Sequence, residues 1–359
     1  MSGTGVGIPT EPIGSIPRPA ELLAAMADRA AGRIGDEELP AAQDRAVRDT
    51  VRRLEDIGSP VVTDGEQAKP SFATCPLTGL NHLAPDGVVI PFDDGHQRQL
   101  PRLMAGPLRY GVYADRCLHA ALRLAASPVK QAVIAPSALS LLHPADGIDG
   151  YPREAFLDDL TAEAEADIHR CLDAGAHRVQ LDFTEARLAL KLDPSGSLLD
   201  QFTALNNRVL ERFSGTEQAR IGIHTCPGGD QDPTHSLDVD YTPLLPALLH
   251  LEAGAFCIQL ASEPEPERVL AVLAEHLPDR AQVFIGVTAP IDPRIETPQE
   301  VRDRVLAAAR HLPSDRLGTC DDCGFSPFAD DTSTSRDTAF AKISARIEGT
   351  ALAARELIS

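Results

Sequence analysis

The sequence contains no tryptophan, and phenylalanine and tyrosine make up only 4% of it. A flat ligand therefore has only Phe and Tyr rings on which to stack. Basic residues are also few, because 33 Lys and Arg residues stand against 53 Asp and Glu residues, giving a formal net charge of -20. An acidic surface of this kind repels nucleic-acid phosphates and anionic membranes, so we expect neither as a partner.

Long hydrophobic runs are missing as well. No stretch approaches the roughly 20 apolar residues that a membrane helix needs. The N-terminal sequence lacks a basic segment followed by an apolar run, which is the pattern of a secretory signal, so we expect a cytoplasmic location. The seven cysteines form an odd set, which argues against a disulfide framework and leaves metal binding or thiol chemistry open.

The 359 residues show short β-rich runs that alternate with amphipathic helical stretches, the pattern of a βαβ series. Eight such runs predict an α/β fold of the (β/α)8 TIM barrel type, formed as a single domain by residues 1–359. The predicted strands are Glu11–Pro17, Pro60–Asp64, Gln131–Pro136, Arg178–Asp182, Arg220–Thr225, Ala255–Leu260, Gln282–Val287 and Arg316–Thr319.

Amphipathic helices are predicted between these strands. Thr297 has the pattern of an N-cap, because Pro298 follows it at the first helical position and Glu300 lies in the first turn. The predicted helices are 36–57, 154–174, 198–213, 241–251, 267–276, 298–311 and 336–357.

Residues 84–113 interrupt the alternation. Two β-rich runs there flank an Asp-Asp-Gly-His turn, which predicts a β-hairpin inserted after strand 2. In a barrel, such an insertion would lie near the active face.

Polar residues follow several of the predicted strands, where barrel enzymes carry their working groups. His224 and Cys226 are two positions apart on a strand, so both side chains can point into the barrel mouth and share one metal ion. A nitrogen and a sulfur ligand suit Zn2+, and Cys323, at the end of the last strand, is the expected third ligand. The alternative is a hydrogen-bonded core histidine beside a small buried cysteine.

Cys320 and Cys323 form a CxxC pair, which can be a redox pair or half of a zinc ribbon. The sequence has no second CxxC, so a ribbon is not expected. We interpret Cys323 as a ligand and Cys320 as structural.

Two acidic residues, Glu66 and Asp182, also follow predicted strands. Acids in a barrel mouth can bind an amine, relay a proton or pair with a base. Ser15 and Gln259 are further strand-end candidates for substrate contacts. Several basic residues, among them Lys69, Arg187 and Arg336, are candidates for holding a sulfonate or carboxylate.

Several of these segments together resemble the catalytic C-terminal half of cobalamin-independent methionine synthase, in order from about residue 9 onwards. Further matches at 64–67, 322–325 and 330–334 resemble the single-barrel branch that includes epoxyalkane:coenzyme M transferase. The segments that carry the first resemblance are Ile13–Pro19, Asp64–Glu66, Val179–Asp182, His224–Cys226 and Asp322–Gly324.

The resemblance implies a mechanism. Zinc would hold His224, Cys226 and Cys323, and a substrate thiol would join the metal and lose its proton there. The thiolate would then attack a methyl group or an epoxide carbon. The family residues that contact an amino acid thiol correspond to three positions: Ser15, Glu66 and Asp182.

The sequence also departs from methionine synthase. Gln259 stands where that family usually has a glutamate ligand, and the loop 289–294 lacks the family's acid/base histidine. The tryptophan that stacks on folate is absent, and we expect no duplicated N-terminal barrel. These differences point away from a folate methyl donor.

Three functions follow as hypotheses. The first is a zinc-dependent thiol alkyltransferase that uses an epoxide or another non-folate electrophile, with Asp182 or Glu66 as the general acid. The second is a methionine synthase-type transfer to homocysteine from methylfolate or a methyl-corrinoid. The third is a non-catalytic barrel that binds a metal or small molecule. The partners would be a small thiol and an alkyl donor, and the sequence leaves a homo-oligomer open.

Overall fold

A six-stranded parallel sheet forms the centre of the computed structural model, which describes residues 7–358. The strands along the chain are β1 (Leu83–Ala84), β2 (Val89–Pro91), β3 (Gln97–Gln99), β4 (Arg102–Leu103), β5 (Lys130–Ile134), β6 (Arg178–Asp182), β7 (Ile221–Thr225), β8 (Ala255–Ile258), β9 (Gln282–Gly286) and β10 (Leu317–Cys320). The parallel sheet has the order β10-β9-β8-β7-β6-β5.

Helices lie between the strands of this sheet and cover it. They are α1 (Ala20–Ala30), α2 (Glu38–Asp56), α3 (Asp115–Leu122), α4 (Pro136–Leu139), α5 (Arg153–Asp173), α6 (Glu185–Leu192), α7 (Ser197–Leu210), α8 (Gly215–Gln218), α9 (Leu244–Leu249), α10 (Pro266–His276), α11 (Pro298–Ala308) and α12 (Arg336–Ile358). Two short 3-10 turns occupy 75–77 and 140–142. The predicted cap of α11 is confirmed, because the Thr297 hydroxyl accepts a hydrogen bond from Glu300 N and the Glu300 side chain accepts one from Thr297 N.

Burial explains why the sequences of the six parallel strands are nearly continuous apolar runs. Almost all of their residues are buried, since side chains on both faces of the sheet are covered. The register brings neighbouring strand ends together: Asp182, the last residue of β6, lies beside His224 of β7. The carboxyl ends of these strands therefore meet at one edge of the sheet.

The first two predicted strands, Glu11–Pro17 and Pro60–Asp64, are wrong as regular strands. Proline has no N–H to donate to a ladder, so Pro12, Pro17 and Pro60 interrupt regular pairing in these segments. In place of a continuous ladder, one isolated bridge forms at Thr10, directly before the first segment, and another at Val62, inside the second.

Both segments nevertheless lie alongside the sheet. The first reaches the β10 edge, the second reaches the chain just before β5, and a backbone hydrogen bond of 3.0 Å joins the two. These contacts are the parallel bridges Thr10–Thr319 and Val62–Val129 and the bond from Ile16 N to Gly65 O.

The segment between α2 and α3 contains two small antiparallel pairs. β1 pairs with β4, and β2 pairs with β3 around a turn at Gly95. An apolar cluster packs this segment against α4 and α5, with Leu103, Leu139 and Phe156 fully buried in it. Among residues 7–358, no helix combines the length and the hydropathy needed to cross a membrane.

Candidate functional site

Three potential metal ligands converge at the carboxyl edge of the sheet. His224 lies in β7, Cys226 directly follows that strand, and Cys323 lies three residues after β10. One ligand atom from each of the three residues lies within 4.8 Å of the others. The sulfur atoms of Cys226 and Cys323 are 3.1 Å apart, which is far longer than a disulfide bond, and both residues are free cysteines.

The His224 ring is held in one orientation. Its Nδ1 donates a hydrogen bond of 3.0 Å to Asp182 Oδ1, and the same oxygen accepts a bond of 2.8 Å from Gln180 Nε2. The other ring nitrogen, Nε2, is buried and has no hydrogen-bond partner among residues 7–358. A histidine that ligates a metal through one nitrogen typically donates its other N–H to a carboxylate, and the pair His224–Asp182 has this arrangement.

In the absence of a metal ion, the electrostatics of the cluster favour a Cys323 thiolate beside a protonated His224 imidazole. Burial acts to lower the pKa of the His224 imidazole, but the hydrogen bond to Asp182 and the nearby Cys323 thiol raise it to about 10. The hydrogen bond from Cys226 lowers the pKa of the Cys323 thiol to about 5, against the effect of burial. A thiolate at Cys323 is the form that binds a metal ion.

Cys320 does not belong to this cluster. It is fully buried inside the sheet, where its thiol donates to the Phe284 carbonyl at 3.3 Å. The two members of the CxxC pair therefore have different surroundings, with Cys320 in the apolar core and Cys323 at the edge of the sheet.

Asp322, which lies between these two cysteines in the sequence, connects the loop after β10 to the loop after β8. Its carboxylate accepts backbone hydrogen bonds from Leu260, Ala261 and Ser262 at 2.7 to 2.9 Å. The carboxylate takes the space that a side chain at 286 would occupy, since a Cβ on Gly286 would lie 1.9 Å from Asp322 Oδ1. Asp322 thus fixes the segment that carries Cys323 against the end of β8.

A cavity of about 240 Å³ opens onto the three potential ligands. Ser15, Glu66 and Asp182 line it together with the His/Cys/Cys cluster, so the structure brings these six predicted site residues to one place. The remaining wall is mainly apolar, and it includes Phe72, Ile90, Phe92, Leu100, Leu188 and Phe328.

Glu66 is buried in this wall and forms an ion pair with Lys69. The Lys69 ammonium lies 2.9 Å from Glu66 Oε1, and both side chains are 3% exposed. Burial raises the pKa of Glu66, and the adjacent ammonium opposes that rise. Glu66 has a positive φ of 57°, a conformation that few side-chain-bearing residues adopt, and its carbonyl accepts a 2.9 Å bond from Arg18.

Ser15 is packed tightly against the loop that contains Cys323. Its hydroxyl accepts a 3.2 Å hydrogen bond from Ser326 N, and its carbonyl accepts a 3.0 Å bond from Phe325 N. A Cβ on Gly324 would lie only 2.2 Å from Ser15 Oγ, so this close approach requires glycine.

Gln259 is a predicted site residue that lies outside the cavity wall. It follows β8, is 1% exposed, and is not among the described residues that line the cavity. Neither its amide oxygen nor its amide nitrogen has a hydrogen-bond partner within the described chain. Its predicted contact with substrate therefore remains a prediction.

The β2–β3 segment, part of the insertion expected near the active face, contributes a residue that was not among the predicted site residues. Arg98 of β3 bonds Asp230, in the loop after Cys226, at 2.5 and 3.1 Å. The same guanidinium bonds Asp330, in the loop after Cys323, at 2.9 and 3.0 Å. Arg98 thus joins both cysteine-bearing loops to the segment whose Phe92 and Leu100 line the cavity.

The basic residues proposed to hold an anionic group are already paired. Lys69 contacts Glu66, Arg187 contacts Glu263 at 2.6 Å, and Arg336 contacts Asp49 at 2.8 Å. Within residues 7–358, none of these three basic residues lines the cavity.

Glu185 is a further cavity residue that the sequence did not identify. It is the first residue of α6, it is 5% exposed, and it lies in the wall with Asp182. Its position three residues after the Asp182 strand end was the only available sign.

Comparison with known proteins gives a consistent family and fold. The chain is 25% identical over 330 residues to the 5-methyltetrahydropteroyltriglutamate--homocysteine methyltransferase of Corynebacterium efficiens, covering 88% of this chain and 40% of that protein. It is 24% identical over 356 residues to the uncharacterized protein YxjH of Bacillus subtilis, covering 92% and 90%. This chain thus spans about 40% of the length of the methyltransferase but nearly all of YxjH.

A solved structure shares the fold. The B12-independent methionine synthase from Shewanella sp. W3-18-1, in complex with selenomethionine, superposes with a TM-score of 0.77 at 19% identity. The match covers 98% of this chain and 99% of that one. The family model described as cobalamin-independent synthase, catalytic domain, matches residues 8–336, and the chain therefore belongs to that family.

Proposed function

We propose that this protein transfers a methyl group to a small thiol of the homocysteine type, with a zinc ion bound by His224, Cys226 and Cys323. The observation that carries the proposal is the convergence of these three ligand atoms within 4.8 Å of one another. Family membership and the homocysteine methyltransferase activity in the name of a relative support the same reaction.

The residues present fit a zinc ion. One nitrogen and two sulfur atoms are a common zinc ligand set, and three protein ligands leave a position for a substrate. The unpartnered Nε2 of His224 is available for coordination, because Asp182 occupies Nδ1. A bound zinc ion would supply positive charge that keeps a coordinated thiol deprotonated near neutral pH.

The acidic residues beside the ligands suit an amino acid thiol. Asp182 and Glu66 line the cavity and place carboxyl groups where they would bind the ammonium of a homocysteine-like substrate. Asp182 would in addition hold the His224 ring, and Ser15 would fix the loop of Cys323. The apolar wall would hold the methyl donor and exclude water from the reacting atoms.

Opening of an epoxide by the same activated thiol is the other reaction that the sequence predicts. The names of the relatives support methyl transfer to homocysteine more directly, so methyl transfer is the function we propose. The absence of tryptophan and the pairing of the nearby basic residues support a donor other than folate.

We also propose that the chain forms one closed barrel domain. The isolated bridges at Thr10 and Val62 and the bond between Ile16 and Gly65 support this, because they continue the sheet around from β10 to β5. The fold shared with the Shewanella protein supports it as well.

The test starts with metal content, measured by elemental analysis on the wild type, Cys323→Ala and the matched control Cys320→Ala. We expect about one zinc per chain in the wild type and in Cys320→Ala, and little in Cys323→Ala. Zinc that persists in Cys323→Ala, or a wild-type protein that binds none, would contradict the site.

The second part tests the reaction with homocysteine as the thiol. Methyl iodide, methylcobalamin and 5-methyltetrahydrofolate are supplied separately, and methionine is measured by mass spectrometry. Coenzyme M with 1,2-epoxypropane is the arm for the epoxide reaction. Methionine formation that requires Cys323 supports the proposal, and product only in the epoxide arm would replace it.

A further inference from the structure

Glu185 is a buried acid in the cavity wall, and the function proposed above assigns it no role. It begins α6, three residues after Asp182, and only 5% of its surface is exposed. Glu185 lines the same cavity as His224 and Cys323.

The contacts of Glu185 are those of an acid without a compensating cation. Ser137 Oγ donates a short hydrogen bond to Glu185 Oε1, and Ser137 N donates to Asn206 Oδ1 at 3.1 Å. The second carboxyl oxygen, Oε2, is buried and has no hydrogen-bond partner in the described part of the chain. Across residues 7–358, no ion pair involves Glu185, whereas Glu66 has the Lys69 ammonium beside it.

These surroundings favour the neutral acid. Burial raises the pKa of Glu185 to about 8, and the negative charge of Asp182 acts in the same direction against the Ser137 hydroxyl bond. A carboxyl group with this pKa retains its proton through most of the neutral range and can still release it during a reaction.

Alkyl transfer from an N-methyl or O-alkyl donor needs such a proton. The leaving atom of an N-methyl or O-alkyl donor becomes strongly basic as its bond to carbon breaks. The loop 289–294 has no histidine to supply a proton, and the carboxyl groups of Glu66 and Asp182 are engaged by Lys69 and His224.

Resting on the function proposed above, we propose that Glu185 is the proton donor to the leaving atom of the alkyl donor. The thiolate sulfur forms the new S–C bond while the bond from that carbon to the leaving atom breaks. The leaving atom keeps the electron pair of the broken bond and takes the proton of the Glu185 carboxyl group. Glu185 becomes a carboxylate and regains a proton as the next thiol ionises, so the overall reaction needs no further reactant.

The experiment compares donors that differ in their need for a proton. Methyl iodide releases iodide, which needs no proton. Opening of 1,2-epoxypropane leaves an alkoxide oxygen, and methyl transfer from 5-methyltetrahydrofolate leaves a basic nitrogen, and each of these atoms must be protonated. Rates with homocysteine are measured for the zinc-loaded wild type and for Glu185→Gln, which keeps the shape and the hydrogen-bonding capacity but has no acidic proton. We expect the substitution to reduce kcat at least tenfold more with a proton-requiring donor than with methyl iodide.

Asp167→Asn is the matched control. Asp167 is also a buried acid, with a pKa raised to about 7 by burial, but it bonds Ala114 N at 2.7 Å and is not among the described cavity residues. We expect equal effects on all donors in this variant. Should Glu185→Gln fail to fold, Ser137→Ala tests the same role, because it removes the hydroxyl that orients the Glu185 carboxyl group.

The outcomes separate this role from the proposed function. Equal losses with all donors, or no loss, would overturn the role of Glu185 alone. So would a wild-type protein that reacts with methyl iodide but with neither proton-requiring donor. A wild-type protein that alkylates no thiol, even with methyl iodide, would overturn the proposed function and this role with it.

Infrared difference spectroscopy gives a readout that does not depend on turnover. The wild type minus Glu185→Gln at pH 7 should contain the carbonyl band of a protonated carboxylic acid, and this band should decrease as the pH rises through about 8. A spectrum with only carboxylate bands at pH 7 would contradict the proposal.

Discussion

The two ends of the parallel sheet carry similar residue types in opposite electrostatic states. At the amino end, Glu11 lies 3.1 Å from Arg178, 3.5 Å from Lys130 and 3.5 Å from His177. At the carboxyl end, the described residues place no cation beside Glu185 and no hydrogen-bond partner beside Nε2 of His224.

The pKa values express this difference. Burial alone would raise the pKa of Glu11, but His177, Lys130 and Arg178 together lower it to about 2. Burial without a cation raises the pKa of Glu185 to about 8. One end of the sheet therefore uses buried charge for stability, and the other leaves buried polar atoms available for chemistry.

The largest expected effect comes from His224→Ala at the carboxyl end. The variant loses a ligand, so zinc and homocysteine alkylation should both fall, the rate by at least about 1000-fold, or roughly 4 kcal/mol. Elemental analysis and methionine formation measure this. Zinc content and a rate that both persist in this variant would mean that His224 is a structural core residue.

The matching change at the amino end is Glu11→Gln. It leaves the Arg178 and Lys130 charges buried without their carboxylate, which should lower the free energy of unfolding by about 3–5 kcal/mol. The rate per folded molecule should stay unchanged. His177→Gln is the control, because the His177 side chain is 41% exposed and should contribute less than about 1 kcal/mol. A reduced rate in folded Glu11→Gln would break the division between the two ends.

Acid should remove the contribution of Glu11. The pKa of this group is lowered in the folded state, so its stabilisation is present above about pH 4.5 and is lost as the pH falls through about 2. The loss should be on the order of 3 kcal/mol. The loss is measured by urea unfolding at a series of pH values, as the difference in the free energy of unfolding between His224→Ala and the double variant His224→Ala/Glu11→Gln. The His224→Ala background is used because it should hold no zinc that acid could release.

In the same assay, the contribution of Glu185 to stability should depend on pH in the opposite direction to that of Glu11. Its pKa is raised in the folded state, so its favourable contribution is present below about pH 4.5 and is lost as the pH rises through about 8. Glu185→Gln in the His224→Ala background should therefore gain relative stability across this window. The same pH dependence for Glu11 and Glu185 would contradict the comparison.

The smallest expected effect is that of Asp182→Asn. The asparagine can still contact His224 but holds its ring less firmly, so zinc affinity should fall about 10- to 100-fold. Competition with a zinc chelator measures this. Gln180→Ala, which removes the other donor to the same Asp182 oxygen, should have a weaker effect, and equal zinc affinity in all three proteins would show that Asp182 does not support the ligand.

Much of the fold follows from local patterns in the sequence. The six strands of the parallel sheet are short apolar runs, and the predicted Arg178–Asp182 strand has the observed bounds. The two proline-containing segments, 11–17 and 60–64, do not form regular strands. Proline has no N–H group to donate to a ladder, so pairing there depends on which of the remaining N–H groups meet a neighbouring segment. The three potential ligands and the acids Glu66 and Asp182 could be predicted because strand ends of a parallel sheet meet at one edge.

The sequence by itself determined the alternation of strands and helices, the spacing of His224 and Cys226 on one strand, and the acidic, tryptophan-free composition. Only the tertiary structure decided that Arg98 joins the two cysteine-bearing loops, that Lys69 neutralises Glu66, and that Glu185 lacks a cation. The physical reason is that periodicity and spacing are local, whereas burial and charge pairing depend on side chains that come from distant parts of the chain.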